Sequence, residues 1–342
     1  MEKQKSPRVN SWNGWDPLEE AWVGRTRSAD YFDSIKSDKI KDPLKRIADE
    51  TEEDYQKLIA IIKDFGVTVH RPEYDNRARW GDGSKRPAVQ PRDHHFAYGN
   101  TLYKFENHIG YDRLYNELQD SKENIYDPYK DQENPVTHEI ECASVVRFGD
   151  AVLIDRLPIP HMKWFKETFK DTKIFVSTFG GHSDGCFAPV KPGLIVTTYD
   201  YKHNFKDSIF DGWDFIYTED DSFEQMAPVV NVGVLEMLKK TENKWYVSGE
   251  ENNDEFIGFV NQYLEKWVGY CAESVFDVNM FMLDERHAIV NSHNDKIFEG
   301  FKKHKVEPII CNLRHRYFWD GGLHCNTVDI RRRGTRQRYL NY

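Results

Sequence analysis

Turn signals between short runs of β-forming residues recur along the chain, and they constrain its fold most. Four dipeptides each separate two such runs: Gly99-Asn100, Gly149-Asp150, Pro192-Gly193 and Asp284-Glu285. Turn dipeptides flanked by β-forming residues indicate antiparallel hairpins. The sequence therefore predicts a hairpin at each of these places.

Helix-to-strand segments lie between the hairpins. The apolar spacing over residues 51–65 predicts an amphipathic helix with Thr51 as its N-cap, and residues 67–69 follow as a strand. The same succession recurs over residues 163–176 and 295–311. Hairpin, helix and strand in repeated order predict an α/β fold made of one closed array of ββαβ modules.

Length and composition fit such an array. The chain has 342 residues, which is long for one compact core but suits repeating units, and we expect residues 1–342 to form a single domain. Aromatic residues make up 14% of the chain, enough for a substantial core. The five cysteines are odd in number and widely spread, so we expect reduced thiols in a cytoplasmic compartment rather than a disulfide framework.

Charge and hydropathy exclude several classes of partner. The net charge of -10 argues against nucleic acid as the main partner. The run Arg331-Arg332-Arg333 is too short to reverse that charge, and we expect it to form internal ion pairs. No apolar stretch approaches the roughly 20 residues needed to cross a bilayer, and the first residues lack the apolar core of a secretory signal. We therefore expect no membrane partner.

A candidate nucleophile stands near the carboxy-terminal end, in Gly321-Gly322-Leu323-His324-Cys325. Glycines allow the backbone to approach a ligand closely. A cysteine beside histidine and arginine is expected in an electropositive setting that favours the thiolate. Most cysteines are small buried hydrophobic residues, so this segment alone leaves both interpretations open.

Polar residues fall just ahead of each predicted hairpin. If the modules surround a pseudo-symmetry axis, these positions meet at one mouth, where Cys325 joins them. The residues concerned are Asp93, Glu141, His182, Asp184, Glu273, Ser274 and Asp277.

Each of these residues also has a structural explanation. Asp93 could cap a turn, Glu141 could pair with Arg147, and the segment from His182 to Asp184 could be a loop or supply two metal ligands. The sequence has no HExxH or CxxC motif, so no metal is expected. It also lacks a GxGxxG or P-loop motif, which argues against a nucleotide.

Several segments resemble the L-arginine:glycine amidinotransferase family of the guanidino-group-modifying enzymes. They are residues 9–20, 91–93, 278–285, 321–325 and 329–335. The resemblance runs from about residue 9 to the end of the chain and is strongest at both ends. It implies a five-bladed, pseudo-symmetric α/β propeller of ββαβ modules, with no metal and no organic cofactor.

The resemblance also implies residue roles. Cys325 corresponds to the nucleophile, His182 to the general acid/base and Glu141 to its carboxylate partner. Asp93 and Asp184 match the pair that holds the guanidinium. Glycine-type amidinotransferases usually carry aspartate at the Glu141 position, whereas deiminases of the superfamily carry glutamate.

These residue types suit amidino transfer. Carboxylates bind a planar guanidinium through paired charge-assisted hydrogen bonds and fix its plane for attack. A thiolate can then form an amidino-thioether and release ornithine, and an amine acceptor completes a ping-pong transfer. Water in place of the amine would give citrulline, so hydrolysis is the alternative enzyme; an arginine sensor without activity is a third reading.

The sequence departs from the family at the edges of the site. Tyr201 stands where the family carries the arginine that binds the donor's α-carboxylate, and Lys202, which follows it, could supply the charge as a point charge rather than a fork. Glu273 replaces a serine that lines the site, although Ser274 is adjacent, and Gly180-Gly181 replaces bulkier residues. We therefore expect arginine as donor and glycine or a larger primary amine as acceptor, both small molecules; the oligomeric state is left open, with a homodimer compatible.

Overall fold

The computed structural model describes most of the chain. The described residues are 8–74, 80, 86–105, 109–118, 125–127, 142–155, 159–177, 182–198, 209–218, 247–268 and 273–342. The strands are β1 (Leu18–Val23), β2 (Thr68–His70), β3 (His95–Tyr98), β4 (Thr101–Lys104), β5 (Ile125–Tyr126), β6 (Val145–Phe148), β7 (Ala151–Asp155), β8 (Lys173–Ser177), β9 (Phe187–Lys191), β10 (Leu194–Thr197), β11 (Asp214–Tyr217), β12 (Phe281–Asp284), β13 (His287–Val290), β14 (Glu307–Ile310) and β15 (Thr327–Arg332).

Helices connect these strands. They are α1 (Asp38–Asp64), α2 (Pro91–His94), α3 (Asp112–Leu118), α4 (Ile159–Thr168), α5 (Asp254–Tyr263), α6 (Glu273–Val278), α7 (Asp295–His304) and α8 (Arg316–Trp319). Short 3-10 turns lie at Ala29–Phe32, Ile109–Tyr111, Cys142–Ser144 and Ser183–Gly185. In the described part of the chain, no helix is long and apolar enough to cross a membrane.

The strands form five three-stranded sheets of one design. In each sheet an antiparallel pair is extended by a third strand that runs parallel to its neighbour, as β3, β4 and β5 show. The helix α3 precedes β5, α4 precedes β8, and α7 precedes β14. These are the ββαβ modules of the predicted α/β propeller, and all four predicted hairpins are confirmed.

The two ends of the described chain build one sheet together. The last strand β15 pairs antiparallel with the first strand β1, and β1 pairs in parallel with β2. The backbone N–H of Gly24 donates to the carbonyl of Asn326 at 2.9 Å, directly beyond the paired strands. This pairing closes the array and fixes the residue that precedes Asn326, Cys325.

The first helix is longer than the apolar spacing over residues 51–65 predicts. α1 begins after Ser37 and has 27 residues, because Ile40, Leu44 and Ile47 extend its buried face towards the N-terminus. The hydroxyl of Thr51 donates to the Ile47 carbonyl at 2.6 Å, so Thr51 is an interior residue and its assignment as N-cap was wrong.

A buried cluster of charges joins the modules. Asp329, on β15, is 1% exposed and accepts hydrogen bonds from Arg147 at 2.6 Å, Arg332 at 2.6 Å and Arg92 at 2.8 Å. Arg147 lies on β6, and Arg332 also donates to the Met282 carbonyl on β12 at 2.8 Å. Burial alone would raise the pKa of Asp329, but the three guanidinium groups hold it well below its usual range.

The predicted ion pairs of the basic run are confirmed. Arg332 binds Asp329, while Arg331 and Arg333 lie 2.8 and 3.0 Å from the two carboxylate oxygens of Glu19 on β1. The run therefore holds β15 against β1. Four of the cysteines, Cys142, Cys186, Cys311 and Cys325, are free thiols.

Replacing Asp329 by asparagine should destabilise the protein strongly. Asparagine keeps the size of the side chain but leaves three buried guanidinium groups without an opposite charge, which costs on the order of 3–5 kcal/mol. Glu19, the partly exposed acid that pairs with Arg331 and Arg333, supplies a matched control. The substitution Glu19→Gln should lower the free energy of unfolding by about 1 kcal/mol or less. Urea denaturation followed by circular dichroism measures both, and equal small losses would contradict the structural role of Asp329.

Candidate active site

The segments that enter each hairpin form a ring. α2 contacts the Cys142–Ser144 turn, that turn contacts the Ser183–Gly185 turn, and the latter contacts α6. The ring is joined to the carboxy-terminal turn, because the backbone N–H of Arg92 donates to the carbonyl of Cys325 at 3.2 Å. The repeated modules thus place equivalent positions side by side around Cys325.

Asn279 holds the turn that carries Cys325. Its side-chain oxygen accepts the backbone N–H groups of His324 at 2.9 Å and Cys325 at 3.1 Å. Its side-chain nitrogen donates to the Cys325 sulfur at 3.0 Å. A Cβ atom at position 322 would lie 2.8 Å from the Asn279 oxygen, so glycine at this position permits the close approach.

The buried carboxylate of Asp184 and the largely buried one of Asp93 act on the thiol. Asp184 Oδ2 is 3.4 Å from the Cys325 sulfur and 2.8 Å from His324 Nδ1. Asp93 Oδ1 is 3.8 Å from His182 Nδ1, which is beyond hydrogen-bond length. Among the described residues, Asp184 Oδ1 and Asp93 Oδ1 are buried without a hydrogen-bond partner. Buried polar atoms are almost always paired, so the two oxygens suit a cationic ligand that carries N–H groups.

The surroundings of Cys325 disfavour the thiolate. Burial raises the pKa of the thiol well above its usual range, and the charges of Asp184 and Asp93 raise it further, while the hydrogen bond from Asn279 opposes them. The expectation of an electropositive setting was therefore wrong. The nearby arginine, Arg92, donates its guanidinium N–H groups to Asp329 and to the Thr327 carbonyl instead.

The two aspartates differ in their charge preference. Burial raises the pKa of Asp93, although the charges of His182 and Arg86 partly offset the effect. Burial would also raise the pKa of Asp184, but the hydrogen bond from His324 and the charges of His324, His182 and Arg92 together outweigh burial and lower it. Asp184 is thus the more readily ionised acid, and a cation would help ionise Asp93.

The structure brings together four of the residues that the sequence singles out, namely Cys325, His182, Asp93 and Asp184. Glu141 and Lys202 lie outside the described residues. Glu273 and Ser274 are the first residues of α6, which contacts the Ser183–Gly185 turn. Within the described ranges no group of three or more His, Cys, Asp or Glu residues could hold a metal ion.

Sequence reasoning missed two residues that contact this group. Asn279 lies just ahead of β12, at a position equivalent to the other candidates, but it carries no ionisable group and so drew no attention. His324 was named only as a neighbour of Cys325, whereas its ring binds Asp184. Position ahead of a module's hairpin was the one signal that could have found Asn279.

Two cavities are lined by residues that the structure describes. A small one of about 50 Å³ is lined by Asp184 and His324 from the site and by Arg147 and Arg332 from the charge cluster. A larger one of about 460 Å³ lies at the surface, where Arg338 pairs with Asp150. The larger cavity contains none of the candidate residues, so volume does not mark the site.

Comparison with known proteins supplies full-length relatives, although no protein-family model matches the chain. The mitochondrial glycine amidinotransferase of Xenopus tropicalis is 23% identical over 401 residues, which cover 97% of this chain and 85% of the relative. The L-arginine:L-lysine amidinotransferase of Pseudomonas savastanoi pv. phaseolicola is 24% identical over 399 residues, which cover 98% of each. The resemblance to amidinotransferases that the sequence segments indicate is thereby confirmed.

Solved structures support the fold. The inosamine-phosphate amidinotransferase of Streptomyces griseus superposes with a TM-score of 0.68 at 20% identity, covering 97% of this chain and 99% of that one. A dimethylarginine dimethylaminohydrolase superposes with a TM-score of 0.56 at 9% identity, covering 91% and 99%. Transferases and a hydrolase share this architecture, so the fold alone does not decide between the two reactions.

Replacing Asn279 by alanine should raise the pKa of the Cys325 thiol. The lost N–H···S hydrogen bond favours the thiolate, and a bond to a charged group of about 1.5–3 kcal/mol corresponds to about one pKa unit or more. The rate of Cys325 alkylation by iodoacetamide, followed by mass spectrometry as a function of pH, reports this pKa.

Asn326→Ala is the matched control for this experiment. Asn326 also holds the turn, through the carbonyls of Gly321 and Gly322 at 3.2 and 2.7 Å, but no hydrogen bond joins it to the sulfur in the described structure. An equal shift in both variants, or none in Asn279→Ala, would show that the amide does not act on the thiol.

Proposed function

We propose that this chain, an enzyme of the amidinotransferase type, moves the amidino group of L-arginine to a primary amine through a covalent amidino-cysteine and releases L-ornithine. The observation that carries the proposal is the pair of unpartnered carboxylate oxygens, on Asp93 and Asp184, beside the buried thiol of Cys325. The full-length similarity to proteins named amidinotransferases supports it.

Substrate binding would use both carboxylates. A guanidinium presents N–H groups along its edges, and two acids can accept them while leaving one face of the plane open. Asp93 and Asp184 would hold the edges, and the Cys325 sulfur, 3.4 Å from Asp184, would meet the central carbon. Proximity of this kind removes much of the entropic barrier of a bimolecular attack.

The bound cation would also activate the nucleophile. In the described structure the charges of Asp184 and Asp93 favour the protonated thiol. A guanidinium between them compensates those charges, so the thiol proton leaves more easily once the donor is bound. A thiol that is ionised only beside its substrate is protected from other electrophiles.

Group transfer would then follow in two balanced steps. His182 takes the thiol proton as the sulfur forms a bond to the guanidino carbon, the bond from that carbon to the ornithine nitrogen breaks, and His182 gives the proton to the departing amine. An acceptor amine enters, His182 takes its proton, and the acceptor nitrogen displaces the sulfur. Cys325 is regenerated, so the cycle needs no metal and no organic cofactor.

Hydrolysis of the same intermediate is the second candidate, because water could replace the amine. The relatives that match along the whole chain are named for transfer to glycine and to L-lysine, whereas the hydrolase at 9% identity shares the fold only. We therefore favour transfer, with glycine or a larger primary amine such as lysine as the acceptor.

Other parts of the account stay predictions from the sequence. They concern Glu141 as the partner of His182, Lys202, Glu273 and Ser274 as substrate contacts, and a cytoplasmic compartment. We also propose that residues 1–342 form a single domain, which the pairing of β15 with β1 supports.

Arginine alone should leave one amidino group on Cys325, detectable as a mass increase of the intact protein. Addition of an amine acceptor should discharge the adduct and give ornithine with the amidinated amine. The measurement combines intact mass with chromatography of the products across a panel of amines that includes glycine and lysine. Cys325→Ala should form neither adduct nor product.

Three outcomes of the product analysis separate the candidate functions. Ornithine with an amidinated amine supports transfer, and citrulline without amine dependence supports hydrolysis. Turnover retained in Cys325→Ala would reject the covalent mechanism in either case.

A further inference from the structure

A second group of buried polar atoms without partners lies next to the carboxylate pair. Among the described residues, Arg86 Nε, Gln90 Oε1 and Asp320 Oδ1 are buried and make no hydrogen bond. The three atoms comprise a donor on a cationic side chain and two acceptors, one of them on an acid. Leaving such groups unpaired is costly, so the cluster suits a polar ligand.

The carbonyl of Trp319 holds this cluster together. Gln90 Nε2 donates to it at 2.6 Å, Arg86 Nη2 donates to it as well, and Asp320 is the next residue along the chain. Trp319 itself is held in place, because its side chain is 3% exposed and its indole N–H donates to Thr51 Oγ1 at 2.8 Å.

The cluster adjoins the nucleophile. A Cβ atom at Gly321 would lie 1.8 Å from Gln90 Nε2 and 3.1 Å from the Cβ of Cys325, so the Gln90 amide and Cys325 flank one glycine. The charge of Arg86 also acts on Asp93, where it lowers the carboxyl pKa against the effect of burial. The two groups of unpartnered atoms therefore belong to neighbouring parts of one site.

Asp320 is held in an unusual backbone conformation. Its φ of 52° lies in the left-handed region, where glycine is less strained than aspartate. A glycine would fit the end of α8 more easily, yet the position carries an acid whose oxygen has no partner in the described structure. The backbone conformation therefore does not explain the aspartate at this position, and we look for its role in the side chain.

We propose that Arg86, Gln90 and Asp320 form the subsite for the amino-acid end of the donor, with Arg86 binding the α-carboxylate and Asp320, assisted by Gln90, the α-ammonium. This inference rests on the proposed function, in which Asp93 and Asp184 hold the guanidinium. A short chain of methylene groups separates the two ends of arginine, which matches two adjacent polar clusters around Cys325. The subsite makes the donor an α-amino acid rather than a simple guanidine.

Truncated donors test each half of the subsite. Agmatine lacks the carboxylate of arginine, and 5-guanidinopentanoate lacks its amine. The readout is the second-order rate constant for formation of the amidino adduct on Cys325, followed by intact mass, which needs no knowledge of the acceptor. In the wild-type protein both analogues should react more slowly than arginine, by about tenfold or more.

Two variants should remove this preference selectively. Arg86→Gln should slow adduct formation with arginine by about tenfold or more and with agmatine far less, since agmatine has no carboxylate to lose a contact. Asp320→Asn should slow the reaction with arginine and affect 5-guanidinopentanoate far less. Residual reactivity with the matching analogue shows that a variant is folded.

Arg286→Gln is the matched control, because Arg286 is exposed at the β12–β13 turn and the substitution changes the charge equally. It should leave all three rate constants unchanged. Lys202→Gln is measured in the same way, because the sequence offers Lys202 as an alternative residue for binding the α-carboxylate.

The outcomes separate this inference from the function it rests on. If the wild-type protein forms no adduct with arginine, the proposed function fails. If it forms the adduct but Arg86→Gln keeps the preference for arginine over agmatine, or Lys202→Gln alone abolishes that preference, the subsite is overturned and the proposed function stands.

Discussion

The rest of the structure depends on the binding of three arginine side chains to the buried carboxylate of Asp329. This carboxylate accepts hydrogen bonds from three guanidinium groups that come from different parts of the array, and Arg332 also reaches a fourth part through the Met282 carbonyl. Each cation would be costly to bury without an acid, so Asp329 lets these parts of the array meet in a buried place. Arg92 links the cluster to the site, since its side chain binds Asp329 while its backbone N–H binds the carbonyl of Cys325.

Because Arg92 is committed to Asp329, Cys325 has acids rather than cations for neighbours. The thiol is buried, Asp184 lies 3.4 Å away, and one oxygen on each of Asp93 and Asp184 lacks a partner in the described part of the chain. Such a site binds anions poorly and favours a flat cation whose N–H groups can donate to the two carboxylates. The same charges hold the thiol proton, so binding of the cation and activation of the nucleophile become one event. Asn279 opposes them in part through its hydrogen bond to the sulfur.

Local patterns in the sequence predicted the modules well. The turn at Gly149 shows why: its φ of 71° is open to glycine, and a side chain there would collide with the Gln337 carbonyl. The start of α1 was missed because the apolar spacing continues ahead of Thr51, a residue that looks like an N-cap but bonds inside the helix. The glycine-rich segment and the positions ahead of the hairpins nominated Cys325 and its neighbours, and the resemblance to a known family implied their roles. No sequence pattern shows which charges face a thiol. The charges around Cys325 depend on the hydrogen bond from Arg92 to Asp329, which joins residues far apart in the chain.

The central claim is that Asp93 and Asp184 hold a guanidinium opposite Cys325, and a crystal structure of the Cys325→Ala variant with L-arginine tests it most directly. The variant cannot react, so the donor should remain intact in the site. The account predicts hydrogen bonds from the guanidinium to Asp93 Oδ1 and Asp184 Oδ1, with its central carbon facing position 325. A guanidinium bound elsewhere, or one that contacts neither aspartate, would contradict it.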